Sequence, residues 1–288
     1  MAQITAALVK ELRQMTDAPM MECKKALVEA DGDLEKAVDV LRTMGLAKVA
    51  KRAGRDTNEG TIAAYISEDG KAGALLELTC ETDFVGTNAK FTGFAADLAK
   101  VVTENDPADE EALKACPMGA GTVEDELTEM IHIIGENMKI ARFKRVEAAD
   151  GALSSYIHLG GKLGVIVTFK VGDEAAANDE FKTFAHDVAM QVAAANPICA
   201  RREDVPADVV EHEKSIYMAQ AAESGKPEAI QEKIATGRLE KFYKERVLTE
   251  QDFIKDGDVT VGALAQKVAK NVGGDVEIVS FERFSFGE

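Results

Sequence analysis

GTIAAYISEDGKAGALLEL (60–78) and GALSSYIHLGGKLGVIVTF (151–169) align without a gap. Gly60, Tyr65, Ile66, Gly70, Lys71 and Gly73 of the first copy fall on Gly151, Tyr156, Ile157, Gly161, Lys162 and Gly164 of the second. Apolar alternation on either side of a Gly-containing turn predicts two strands in each copy. A helical pattern follows both times. FTGFAADLA (91–99) matches FKTFAHDVA (181–189), pairing Phe91, Phe94, Ala95, Asp97 and Ala99 with Phe181, Phe184, Ala185, Asp187 and Ala189. Pro107 and Pro197 close the two helices. A duplicated hairpin-plus-helix unit predicts an α+β protein whose core is two related antiparallel-sheet subdomains.

Farther from the hairpins the match weakens. Leu127, Ile131, Ile134 and Met138 form a helical stripe before KIARFKRV, which alternates as a strand. Val261, Leu264, Ala265 and Val268 do the same before DVEIVSFERFSF. Ahead of the repeat, residues 4–16, 19–30 and 33–45 read as three short helices. Ile4, Leu8, Leu12 and Met15 form the apolar stripe of the first, and Cys23, Ala26, Leu27 and Ala30 that of the second. Pro19 suits the first turn of the second helix. Asp31-Gly32-Asp33 turns the chain, Asp33 caps the third helix, and Leu34, Ala37, Val38 and Leu41 give its buried face. AGRDTNEG (53–60) reads as a polar linker. Residues 205–245 read as two helices around Ser224-Gly225-Lys226-Pro227, with Val209, Ile216 and Ala219 facing Ile230, Ile234 and Phe242. This hairpin interrupts the second half, as a solvated prop or as a docking arm. The predicted divisions are a three-helix domain (1–55), a first core subdomain (56–148), a second (149–204 and 246–288) and the inserted hairpin (205–245).

Composition narrows the function. With 46% apolar residues the chain has material for real cores, and no apolar run approaches the roughly 18 residues of a membrane span. MAQITAALVKELRQ has neither a basic leader nor a cleavage site, so the expectation is a cytoplasmic protein without a signal peptide. Cys23, Cys80, Cys116 and Cys199 are scattered and suit reduced thiols. A formal charge of −17 argues against nucleic acid or an anionic membrane as partner. The basic cluster Lys48, Lys51, Arg52 and Arg55 falls at a helix end, where cations suit the macrodipole.

Catalytic signals are missing. His132, His158, His186 and His212 form no metal-ligand spacing. His132 lies off its apolar stripe, and with His186 reads as a surface or boundary residue; His212 reads as solvated. LGGKLG (159–164) lacks the Ser or Thr and the strand-to-helix setting of a phosphate loop, and reads as a hairpin turn. Neither GxSxG, GxGxxG nor a Cys/His pairing is present. The expectation is a protein that is not an enzyme and holds no cofactor or metal.

One stretch resists a purely structural account. ETDFVGTN (81–88) sets Asp83 beside Phe84 where an apolar strand gives way to a helix starting near Asn88. LLELT before it alternates Leu76 and Leu78 with Glu77 and Thr79, and Cys80 falls on the Leu76 face. Asp83 capping the helix and Phe84 packing as a staple is the bland account. Against it, the second copy has KVGDE (170–174) in the corresponding region, with no Asp-Phe pair. A corner that the duplicated fold required would be kept in both copies, so the pair is expected to serve a specific role.

ELTCETDFVG (77–86) resembles the second signature of bacterial elongation factor Ts, and LRQMTDAPMMECKKAL (12–27) is similar to the first. The order of three-helix module, duplicated core and inserted hairpin extends the resemblance over nearly the whole chain. It implies a ubiquitin-associated-like (UBA-like) N-terminal domain, a core of two related subdomains and a coiled-coil hairpin. The implied activity is guanine-nucleotide exchange on elongation factor Tu: binding Tu·GDP, speeding GDP release and remaining on nucleotide-free Tu, in a heterodimer or a dimer of heterodimers. Thr82, Asp83, Phe84 and Val85 carry the family's Thr-Asp-Phe-Val motif, which intrudes beside Tu's nucleotide site and leads to loss of its Mg²⁺. Met20 and Met21 fall on the Met-Met pair of the module that contacts Tu's nucleotide-binding domain. His158 falls in the hairpin that faces another domain of Tu. Departures from the family pattern are Asp17 and Pro19 where many relatives have Gly, Thr87 where a longer residue is common, and an end at SFGE (285–288) where some relatives continue into a further helix. The alternative is an adaptor or chaperone that holds Tu without expelling nucleotide.

Overall fold

The N-terminal apolar spacing folds as three helices, α1 (Ala6–Thr16), α2 (Met20–Glu29) and α3 (Leu34–Arg52). The computed structural model describes residues 4–288 except Asp17 and Ser224, and describes no side chain at Leu46, Ala47, Lys48 and Ala50. The readings placed on Asp17, Ser224 and the Lys48 side chain lie outside the described residues. Leu12, Cys23, Ala26, Leu27, Ala37 and Leu41 pack into one small core, as their spacing predicts. Asp33 caps α3 by accepting from the Lys36 N–H at 3.1 Å. Two expectations fail here. Met15 is exposed, because the last turn of α1 lies beyond the edge of this core. Helix α3 runs past residue 45 to Arg52, since Gly45 costs a helix only about 1 kcal/mol and no stronger breaker intervenes.

The first half of the repeat comprises β1 (Glu59–Ile66), β2 (Ala72–Cys80), a one-turn helix α4 (Asp83–Gly86), α5 (Ala89–Asn105), α6 (Glu110–Ala115), the short pair β3 (Pro117–Met118) and β4 (Gly121–Thr122), α7 (Val123–Ile134) and β5 (Met138–Glu147). The second comprises β6 (Gly151–His158), β7 (Leu163–Val171), α8 (Asp173–Ala177) and α9 (Asp179–Ala195). The inserted α10 (Ala207–Ala222) and α11 (Glu228–Arg246) come next, followed by β8 (Asp252–Phe253), β9 (Asp256–Thr260), α12 (Val261–Val272) and β10 (Val276–Ser285). Each half makes a three-stranded sheet with its second strand in the middle, in the orders β1-β2-β5 and β10-β7-β6. Contacts divide the chain into two units. One takes the chain up to Ala63 with Leu76–Phe143, the other Ala64–Leu75 with Lys144–Phe286.

The repeat reaches into the parts where the sequence match fades. Asn88 and Asn178 cap α5 and α9, accepting from Lys90 and Glu180 N–H groups. Asp106 and Asn196 end them in left-handed geometry ahead of the two prolines. Thr122 and Thr260 cap α7 and α12, and Gly135 and Gly273 end them. Gly60 and Gly151 are required by close approach: a Cβ on either would overlap the carbonyl oxygen of Leu78 or Phe169 on the neighbouring strand. In the second unit Val165, Val167 and Phe169 of β7 pack on Phe181, Phe184 and Val188 of α9.

Three readings in the core change. Met138 is not on the helical stripe, because Gly135 stops α7 first; it opens β5 and is buried there. Glu77 and Thr79 do not face solvent. Strand β2 is central and covered on both faces, so Arg142 Nε holds Glu77 at 2.7 Å, and the Thr79 hydroxyl bonds the Thr57 hydroxyl and the Lys139 carbonyl. His132 is buried on α7 at 4% exposure, because the extended α3 packs along that helix. His158, His186 and His212 are exposed.

In the inserted hairpin α10 and α11 pack on each other, with Ala221 and Ala235 buried between them and Gln220 bonded to Arg238. Ala219 and Ile230, predicted to face inward, are exposed; the small alanines let the helices approach and leave less room for larger residues. At its base Val209 and Phe242 pack against Val205, Tyr243 and Val247. Arg202 bonds Glu240 and Glu250 at 2.6–3.0 Å and stacks 4.2 Å over the Tyr243 ring. No described helix is long and apolar enough to cross a membrane.

Candidate functional site

The corner between β2 and α5 is built by Thr82, not by Asp83. Thr82 is extended, and its hydroxyl oxygen accepts from the Val85 N–H at 3.4 Å, so Thr82 caps the single turn α4. Asn88, six residues on, caps α5. The predicted capping role of Asp83 is thereby taken over, and Asp83 is left exposed in the first turn of α4.

Side chains distant in sequence brace this turn. Glu136, in the α7–β5 connection, accepts from the N–H groups of Glu81 and Thr82 at 3.1 and 3.0 Å and from the Thr82 hydroxyl at 2.7 Å. Glu81 in turn accepts from the Asn137 N–H at 2.7 Å and from Arg55 Nη1 at 3.2 Å. Asn137 donates its amide to the Arg55 carbonyl at 2.9 Å. On the inner side Gly86 lies against the backbone of Gly60, where a Cβ would meet Gly60 O at 3.2 Å and N at 3.3 Å. Charge-assisted bonds and a glycine-on-glycine contact therefore fix the turn from two sides. Of the basic cluster, Arg55 joins this brace, and Arg52 Nη1 donates to the Ile131 carbonyl at 3.2 Å.

What the brace holds out is Phe84. Its ring is 82% exposed, while Val85 is half-buried and Gly86 buried. The staple account is excluded, since a stapling ring would be covered by its own helix. Alignment of the one-turn helices refines the contrast between the copies. Asp83 and Phe84, first and second in α4, match Asp173 and Glu174, first and second in α8. The carboxylate recurs, and Asp173 pairs with Lys71 Nζ at 2.7 Å. The ring alone is particular to the first copy.

The other predicted residues are also at the surface. Met20 and Met21 open α2 with 53% and 63% of their area exposed, in the same unit as Phe84. His158 ends β6 in the second unit, exposed, with Nδ1 2.7 Å from the Tyr156 hydroxyl and exposed Leu159 beside it in left-handed backbone (φ 49°). Sequence reasoning missed the brace residues Glu81, Glu136 and Asn137. Their partners lie 26 to 82 positions away, and no local pattern marks them.

Among the described residues, no cluster of three or more His, Cys, Asp or Glu could hold a metal ion. All four cysteines are free, and burial foremost pushes the Cys199 thiol up to about 11 and that of Cys23 upward. An exposed ring on a braced turn gains most by burial against another macromolecule.

Fold and corner together define a duplicated α+β protein with an inserted helical hairpin, displaying one apolar ring at a rigid strand-to-helix corner. A family model described as "Elongation factor TS" matches residues 81–288, starting at the corner itself. The chain is 46% identical over 290 residues to "Elongation factor Ts" of Nautilia profundicola, covering 100% of this chain and 94% of that protein. It is 46% identical over 286 residues to the protein of that name from Clostridium botulinum (strain Eklund 17B), and 45% over 288 residues to that of Clostridium kluyveri, covering 99% of this chain and 93% of each relative. The chain belongs to the elongation factor Ts family.

Proposed function

We propose that this protein is a guanine-nucleotide exchange factor for elongation factor Tu, and that it acts without covalent chemistry by pressing Phe84 into Tu beside the nucleotide site. The observation that carries the reading is the 82% exposed ring on a turn braced from two sides. Burying such a ring in a partner supplies about 1.5–3 kcal/mol. Mg²⁺ on a bound nucleotide demands near-ideal octahedral geometry, so a small shift of the surrounding helices weakens it. Asp83, exposed beside the ring, takes up backbone donors of the displaced segment. Met20 and Met21 add adaptable apolar contacts on Tu's nucleotide-binding domain, and His158 contacts another of its domains. The factor and GDP then weaken each other's hold on Tu by the same factor, as thermodynamic linkage requires. It works in the cytoplasm, on Tu·GDP and nucleotide-free Tu, as a heterodimer or a pair of heterodimers.

The test is the release rate of fluorescent GDP from Tu with and without this protein. Acceleration that rises with its concentration and saturates is expected. Binding to Tu with an unchanged release rate overturns exchange and favours the adaptor or chaperone reading.

A further inference from the structure

His132 and Glu22 meet where α7 and α2 face each other, and no role described so far uses them. Nε2 of His132 stands 3.4 Å from Oε2 of Glu22, with 2% and 18% of the two side chains exposed. Neither ring nitrogen of His132 meets hydrogen-bond criteria with any described residue. From α3, Gly45 packs on the ring, where a Cβ would come within 3.4 Å of it. Glu129 on α7 is a second carboxylate near the ring, and burial foremost raises it above the usual carboxylate range.

We infer that His132 is a positioning residue: through Glu22 it fixes α2 against α7, and so sets where Met20 and Met21 are presented. Glu22 directly follows Met21, so a contact that holds its carboxylate holds the turn carrying both methionines. Two other links run from α3, through Arg42 to Asp125 at 2.7 Å and Arg52 to the Ile131 carbonyl. They anchor α3, and the His132–Glu22 contact adds a link from α2 itself. The ring's part is to set Nε2 against the carboxylate, 3.4 Å away. A phenylalanine fills the same space without a polar atom, whereas a glutamine places an amide at similar reach.

The inference rests on the exchange reading for its functional consequence, but its first test does not. In the full chain labelled with ¹³C-methyl methionine, His132→Phe is expected to shift the Met20 and Met21 methyl resonances, while His132→Gln leaves them near their wild-type positions. In GDP release from Tu, His132→Phe is expected to raise KM for Tu·GDP about fivefold with kcat within about twofold, and His132→Gln to restore KM. If His132→Phe does not fold, Glu22→Gln carries the KM measurement. Unmoved Met20 and Met21 resonances in folded His132→Phe overturn the inference. So do equal shifts in His132→Phe and His132→Gln. Shifted resonances with no exchange by the wild-type protein sink the exchange reading and leave the positioning role standing.

Discussion

Replacing Phe84 with alanine should leave the fold intact and disable exchange. With 82% of the residue already exposed, the ring contributes little to the free protein, and the change in stability is expected within about 0.5 kcal/mol. The corner keeps its shape, because Glu136 grips backbone and the Thr82 hydroxyl, and Gly86 rests on backbone; none of these contacts uses the ring. In the complex, the lost burial of about 1.5–3 kcal/mol corresponds to about a ten- to hundredfold drop in kcat/KM for GDP release. Phe84→Leu retains much of the apolar area and should fall between wild type and alanine. Stopped-flow release of fluorescent GDP over a range of factor concentrations gives kcat and KM separately, and a thermal melt controls for folding. A Phe84→Ala protein with an unchanged melt and a release rate within twofold of wild type would falsify the assignment of the ring as the working element.

Other perturbations probe the scaffold. Gly60→Ala and Gly151→Ala should each cost about 2–4 kcal/mol, read as a lower denaturant midpoint, because the added Cβ overlaps a strand carbonyl in both hairpins. Glu136→Ala strips the acceptor from the Glu81 and Thr82 N–H groups, at about 1–3 kcal/mol; amide exchange at Thr82 should accelerate while β7 stays protected, and unchanged protection at Thr82 would refute the brace. Acid should loosen the hairpin base first. The Arg201 hydrogen bond holds Asp204 below the usual carboxylate range, and the Arg202 bonds do the same for Glu240. Depressed folded values mean that their stabilisation is complete above the ordinary carboxylate pKa, near 4, and is lost as pH falls through the lower folded values. Circular dichroism against pH should therefore show a transition in that window that Arg202→Ala moves to higher pH.

Legibility in the sequence followed the range of the forces involved. Caps and turns depend on neighbours, so the Asp33 cap, the helix start near Asn88 and the paired prolines could be read directly. The hairpins could be read because duplication supplied two copies of one pattern. Glu77 and Thr79 misled, since alternation marks a half-buried strand and β2 is covered on both faces. Met138 misled because the left-handed Gly135 cuts a period that otherwise continues. At the site, the contrast between copies pointed to the corner that displays the exposed ring, but the division of labour within it was hidden. Thr82 caps and Asp83 does not, and the brace from Glu136 spans 54 positions. The burial of His132 likewise needed the true length of α3.

Divergence at the second position of the two one-turn helices has a consequence for valency. A duplicated scaffold would by default offer the same grip twice, and two grips invite cross-linking of partners into chains. With Glu174 standing where the first copy has Phe84, a contact that depended on this ring would be monovalent: each molecule has a single such wedge to offer, to one recipient at a time.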